Sequence, residues 1–259
     1  MNKFCLIGLY ILISLPALAQ SEQSQAVFSY QKNVSLMGTV IDAGIEDLFY
    51  NGTASVYIQY AKKAQSASEP QTIVKGDTRI TLDRHDPTDD GKDFIIYQNY
   101  KTKVLVNRTA FSNGKRCVVQ DSIPVFDWKL EPEKKRIGAY DCQKATTTFR
   151  CAKYTVWFTT EIPVSIGPAK LGGLPGLIVE ATNERAEATY KLIVANYPVS
   201  TKTYKIAPPD MGDPVYTYEA YRKIEIVEQD KMLKFLSSSA DAIPGTKPII
   251  NFPECLDGK

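Results

Sequence analysis

The chain has 259 residues, 44% of them hydrophobic, and a formal net charge of +2. That is enough apolar material for a sizeable core, which argues against intrinsic disorder. The near-neutral balance lacks the basic excess of a nucleic-acid binder.

The N-terminus reads as a targeting segment. Met1-Asn2-Lys3 is a short basic start, Phe4 to Ala19 is an apolar run, and Ala17-Leu18-Ala19 has the small-x-small form of a cleavage site. Cleavage is predicted between Ala19 and Gln20. The run is short and interrupted by Gly8 and Pro16, so it is not read as a membrane span, and Cys5 lies too early for a lipoprotein cysteine. No later stretch could cross a bilayer as a helix. The chain is expected to be exported, to the periplasm, to the outer membrane as an associated protein, or into the medium. Residues 20–259 show no repeat, linker or sharp change in composition, which predicts a single β-rich domain with a C-terminal helix and an irregular tail.

Most of that domain alternates in the manner of strands. "AVFSYQKNVS" (Ala26 to Ser35) and "TASVYIQYAK" (Thr53 to Lys62) place polar and apolar residues on opposite faces. Between them, "LMGTVIDAGIEDLFY" reads as a short helix or a loop. "DRHDPTDDGKD" (Asp83 to Asp93) resembles half of a calcium loop. However, Tyr97 stands where the closing glutamate belongs, which leaves a solvated acidic turn.

Strand-like segments then follow closely: "DFIIYQNY", "KVLVNRTAF", "KRCVVQDSI", "VFDWKL", "AYDCQKATTTF", "KYTVWFTTEI", "GLIVEAT" and "EATYKLIVANY". Short breaks such as "SNGK", "EPEKK" and "RCA" predict hairpins and an antiparallel meander. One connection is longer. Pro163 to Gly176 holds three prolines and four glycines, and a loop of this kind is usually functional or packed on itself. Pro175-Gly176 has the chemistry of a type II turn. The clearest helix is Tyr218 to Leu236, with Tyr221, Ile224, Val227 and Leu233 or Phe235 at helical spacing as its apolar face.

Four cysteines follow the targeting segment: Cys117, Cys142, Cys151 and Cys255. An even count in an exported chain predicts two disulfides, with the connectivity open. A zinc site is not expected, since there is no C-x-x-C and His85 stands alone. Other motifs fail on context. "GPAKLGG" lacks the lysine and hydroxyl of a phosphate loop, and "PVSIG" lacks a helix after its serine and a histidine downstream. The residues therefore predict no cofactor, no metal and no catalytic set.

"GGLPGLI" (Gly172 to Ile178) resembles the defining motif of the GLPGLI family, exported proteins of Gram-negative bacteria. The blocks "FDWKL", "YDCQKATTTFR", "YTVWFTTEIP" and "SIGPAKLGGLPGLIVEAT" are similar to that family's in their order, and "FSYQ" and "LFYNGTASVYIQY" extend the likeness towards the N-terminus. Many members have glycine where this chain has Cys151, so a disulfide there is not something the resemblance implies. It implies export, and no agreed activity or site residues.

The strand order predicts a curved antiparallel sheet or half-barrel with one or two helices, similar by analogy to periplasmic lipoprotein carriers. The first functional expectation is a non-enzymatic module that binds an apolar ligand or an envelope protein partner. Its rim would be Ile166, Gly167, Pro168, Leu171, Leu174, Pro175 and Gly176. One alternative is a hydrolase using carboxylates such as Glu161 or the Asp83–Asp93 cluster, which requires two acids in different environments facing one cleft. The other is a structural accessory of an outer-membrane assembly.

Overall fold

The computed structural model describes residues 25–36, 39–60, 71–75, 78–82, 93–184, 188–198 and 204–240. The predicted cleavage site at Ala19 and Gln20, the acidic turn from Asp83 to Lys92, and Cys255 lie outside them.

The protein is mainly β, as its alternation predicts. The strands are β1 (Ala26–Leu36), β2 (Thr39–Tyr50), β3 (Ala54–Gln59), β4 (Gln71–Lys75), β5 (Thr78–Leu82), β6 (Phe94–Asn99) and β7 (Val104–Ala110). They continue as β8 (Arg116–Ser122), β9 (Lys129–Ile137), β10 (Tyr140–Phe149), β11 (Ala152–Thr159), β12 (Leu177–Asn183), β13 (Ala188–Asn196) and β14 (Val215–Thr217), and α1 spans Tyr218–Ala240. Twelve strands form one open sheet in the order β14-β8-β7-β6-β3-β2-β1-β13-β12-β11-β10-β9, and β4 and β5 form a separate hairpin. Two antiparallel meanders are thus joined by one long-range pair, β1 with β13, in which Val27 faces Asn196 and Val34 faces Ala188. Among the described residues only β14 runs parallel to its neighbour, β8.

The segment read as a helix or loop is strand β2. A bulge between Lys32 and Asn33 of β1 leaves Ala43 opposite no partner, and Gly44 takes φ +105° beside it. A bulge of this kind breaks the period of two and hides the strand from its pattern. "EPEKK", read as a break, lies inside β9. Pro132 is tolerated there because β9 is an edge strand, where a missing N–H costs no ladder bond.

β3 is buried along almost its whole length. Tyr57 belongs to the cluster of Ala26, Phe28, Tyr30, Leu48 and Leu177, whereas Val56 and Ile58 pack on the other face with Phe49, Tyr97, Val118 and Ile206. The connector leading to β14 covers that second face. Tyr204 stacks on Phe49 at 4.2 Å, and Arg108 Nε donates to Asp213 Oδ2 at 2.9 Å. Each fully buried large apolar side chain contributes about 1.5–3 kcal/mol.

The Pro/Gly connection after β11 is packed inward. Ile162, Val164 and Ile166 join the first cluster, and Leu171 and Leu174 join Tyr154, Phe158 and Ile178. Trp128 Nε1 donates to the Gly172 carbonyl at 2.8 Å and holds the loop from outside. Gly173 has φ +87°, but Gly176 does not take a positive φ, so the type II assignment is corrected. Gly176 is needed for a different reason. A Cβ there would overlap the Thr159 carbonyl oxygen and lie 2.7 Å from its carbon.

The cysteine expectation is corrected as well. Cys117 and Cys142 are free and buried, so the predicted pair of disulfides does not form, and no disulfide joins two of the described residues. Cys117 sits on β8 among Phe111, Val119 and Tyr221, and Cys142 on β10 among Ile137 and Val179, in separate apolar clusters. Cys151 is disulfide-bonded and does not titrate. Among the described residues no helix is long and apolar enough to cross a membrane.

Candidate ligand site inside the sheet

The Pro/Gly loop fills one part of the sheet's inner face and α1 lies over another. Between them remains a cavity of about 420 Å³. Its wall draws on β1, β2, β3, β6, β7, β8, β11, β12 and β13, so the sheet wraps around it. That volume is within the usual range for small-molecule sites, roughly 300–1,000 Å³.

Alternation explains why charge points inward. On β1, Ala26, Phe28 and Tyr30 share a face, and Lys32 is next in the same phase. On β2, Glu46 is in phase with Leu48 and is only 1% exposed. Lys32 Nζ lies 3.2 Å from Glu46 Oε1 and 3.5 Å from Gln59 Oε1, and the Tyr57 hydroxyl donates a hydrogen bond to Glu46 Oε2. Lys32 also sits over the ring of Tyr190, 5.6 Å from its centre. Burial pulls the Lys32 pKa down, but Tyr190 and Glu46 more than offset it, and the net shift is upward. Burial, then the Glu46 charge, pushes Tyr57 well above the ordinary phenol value. A buried ion pair facing a void is costly unless it is well bonded, and it is a functional-site signal.

The other end of the cavity is aromatic. Phe94, Phe111, Tyr154, Tyr218 and Tyr221 line it, with Asp121, Arg150, Asn183 and Glu225 between them. Each acid there is held. Arg150 Nη2 donates to Asp121 Oδ2 at 2.7 Å. Ser112 donates to Glu225 from its backbone N–H to Oε2 at 3.0 Å, and from its hydroxyl to Oε1. Gln229 adds a 3.1 Å bond to the same Oε1.

This arrangement keeps Tyr221 of the expected face inward, stacked on Phe111, but turns the rest of that face. Glu225 is 4% exposed, while Ile224 and Val227, assigned inward by spacing, are 36% and 50% exposed. The polar side chain wins because Ser112 and Gln229 together supply its donors.

Of the predicted rim, Leu171 borders the cavity, beside Ala169 and Lys170. Ile166, Gly167, Pro168, Leu174 and Gly176 are buried in the loop's own packing, and Pro175 is exposed. Glu161 is elsewhere, accepting a 2.7 Å bond from the Asp141 backbone N–H. Of the acidic turn named as an alternative to it, Asp93 alone falls within the described residues. Among the described residues, no cluster of three or more His, Cys, Asp or Glu is arranged to hold a metal.

The family model that matches is described as "N-glycanase peptide, N-terminal domain", and it covers residues 66–205. This overturns the resemblance to the GLPGLI family. The "GGLPGLI" segment is accounted for by its packing against β11. Among curated proteins none matches. Two solved structures are similar in part, those of PNGF-II in the P21 and C2 space groups. Their identities are 15% and 16% and their TM-scores 0.47 and 0.45. The matches cover 79% and 78% of this chain but only 34% and 33% of those chains. The chain thus spans about a third of the length of the solved structures it matches.

Proposed function

This chain belongs to the family of the N-glycanase peptide N-terminal domain, and we propose that it serves the hydrolysis of asparagine-linked glycans, with the interior cavity as the place where it holds carbohydrate. The observation that carries the reading is the composition of the cavity wall. A sugar ring offers C–H faces that stack on aromatic side chains and a rim of hydroxyls that need fixed donors and acceptors. Phe94, Phe111, Tyr154 and Tyr221 offer the first surface. Glu46, Lys32, Gln59 and Tyr57 offer the second, already oriented by their mutual bonds. Such preorganisation lowers the ordering cost of binding.

The same wall argues against carriage of an apolar ligand. Lys32, Glu46, Asp121, Arg150 and Glu225 all border the space, and although they are bonded to one another or to Ser112, hydrocarbon offers no partner to their remaining hydrogen-bonding capacity. The carboxylate pair that a hydrolase needs is to be sought in this cavity rather than at Glu161. Glu46 is the acid to probe first, since it is the most deeply buried and lies beside a lysine and a phenol.

The test uses the whole chain and an asparagine-linked glycopeptide. Binding by calorimetry and glycan release by mass spectrometry are followed together, for the wild type and Glu46→Gln. Binding that the substitution weakens supports the reading. Glycopeptide that neither binds nor is cleaved overturns it.

A further inference from the structure

α1 meets the cavity through Tyr218, Tyr221, Glu225 and Gln229, and its opposite side carries the exposed Val227. Two ties join it to the segment after β7. Phe111 stacks on Tyr221 at 5.1 Å with the rings 24° apart, and Ser112 binds Glu225. A third tie comes from across the cavity. Arg150, in the turn between β10 and β11, places its guanidinium 3.6 Å from the centre of the Tyr218 ring while bonding Asp121 of β8.

That turn is unusual in its chemistry. Arg150 and Cys151 both have positive φ, 47° and 57°, in a two-residue hairpin of the kind that favours Asn-Gly. Side chains bearing a Cβ rarely adopt this conformation, and strain of this sort persists where neighbouring contacts over-determine it. Here the Arg150 side chain is bound both to a carboxylate and to an aromatic face.

We propose that α1 is a lid on the cavity and that Arg150 is its latch. Release of Arg150 from Asp121 and Tyr218 lets the helix pivot on β14, which stays paired with β8, so that it lifts from Phe111 and opens the aromatic end. This regulation rests on the cavity being the carbohydrate site, but the lid can be tested without any ligand.

Cys117 is a built-in reporter. It is a free thiol, 0% exposed, packed with Phe111 and Val119 beneath Tyr216, Tyr218 and Tyr221. Cys142, the second free thiol, lies in a different cluster with Ile137 and Val179 and serves as the control. The full chain is pulsed with iodoacetamide at several low urea concentrations, and each thiol is read by peptide mass. Arg150→Ala should speed labelling of Cys117 about tenfold, as loss of a charge-assisted hydrogen bond would. The urea dependence should be shallow, the Cys142 rate unchanged, and Arg150→Lys intermediate. Asp121→Ala breaks the same bond from the other side and replaces Arg150→Ala should that variant not fold. Labelling of Cys117 and Cys142 in parallel, only at the rate of global unfolding and equally in all variants, overturns the lid. Glycopeptide added to the wild type should slow Cys117 labelling. If Arg150→Ala speeds labelling but glycopeptide leaves it unchanged, the lid stands and the cavity's role in glycan binding falls.

Discussion

Lys32 and Glu46 form an ion pair across adjacent strands, 3.2 Å apart, with side chains 18% and 2% exposed, at the wall of a cavity rather than inside solid core. Removing one partner leaves the other charge buried and uncompensated, which typically costs about 3–5 kcal/mol. Lys32→Met and Glu46→Gln should each lose stability towards the lower end of that range. The double variant should lose less than the sum. Urea unfolding of the four proteins checks this, and strict additivity would mean that the pair is not coupled.

Buried phenols give the protein an alkaline limit. Burial raises the pKa of Tyr30 and Tyr57, and of the half-buried Tyr190, above the ordinary value. A raised folded-state pKa contributes stability that is fully present below the unfolded value, about 10, and is lost as pH climbs towards the folded one. Lys32, also raised, has the same sign. Tyrosinate absorbance should therefore rise in two stages above about pH 10, exposed rings first and the buried ones together with loss of tertiary circular dichroism. A single smooth titration with the fold intact would contradict this.

Gly176 should not tolerate a side chain. A Cβ would overlap the Thr159 carbonyl, so Gly176→Ala should cost stability at the top of the overpacking range, about 3 kcal/mol. Gly138, at φ +58° with nothing within 4 Å, is the control. There, alanine should cost only about 1 kcal/mol through the backbone. Equal costs in denaturant melts would mean that backbone conformation, not close approach, decides both.

The buried acid on α1 depends on its serine partner. Ser112→Ala removes the hydroxyl donor to Glu225 Oε1 but keeps the backbone donor to Oε2. It should cost about 1.5–3 kcal/mol, as for a hydrogen bond to a charged group. Glu225→Leu should recover part of that loss in the Ser112→Ala background, since it removes a buried charge left with only the Ser112 N–H and Gln229 as donors. Urea melts of the single and double variants decide it.

Much of this fold is legible in the sequence, because period-two alternation survives on β1 and β11 and short apolar runs mark the other strands. β2 is hidden by the bulge at Ala43 and Gly44, and β9 by Pro132, which only an edge strand accommodates. The position of α1 follows from composition. Its buried face does not, because Ser112, which satisfies Glu225, is 113 residues away. The cavity cluster is illegible in part for the same reason: Lys32, Glu46 and Tyr57 meet on the consecutive strands β1, β2 and β3, with β2 hidden, and Tyr190 joins them only through the long-range pairing of β1 with β13. One signal is nevertheless present. Lys32 follows Ala26, Phe28 and Tyr30 in one phase, and a charge in an apolar phase marks either a strand end or a site. The Pro/Gly loop is conspicuous as a rim, yet apart from Leu171 the residues named there serve packing or, at Pro175, face solvent.

Whether the cavity holds carbohydrate is tested most directly by titrating an asparagine-linked glycopeptide into the wild type, Glu46→Gln and Tyr57→Phe, each verified as folded. Saturable binding to the wild type is expected, weakened about tenfold or more in each variant, as when a buried polar partner is lost. Undiminished binding in both variants would place the glycan elsewhere on the protein and contradict the assignment.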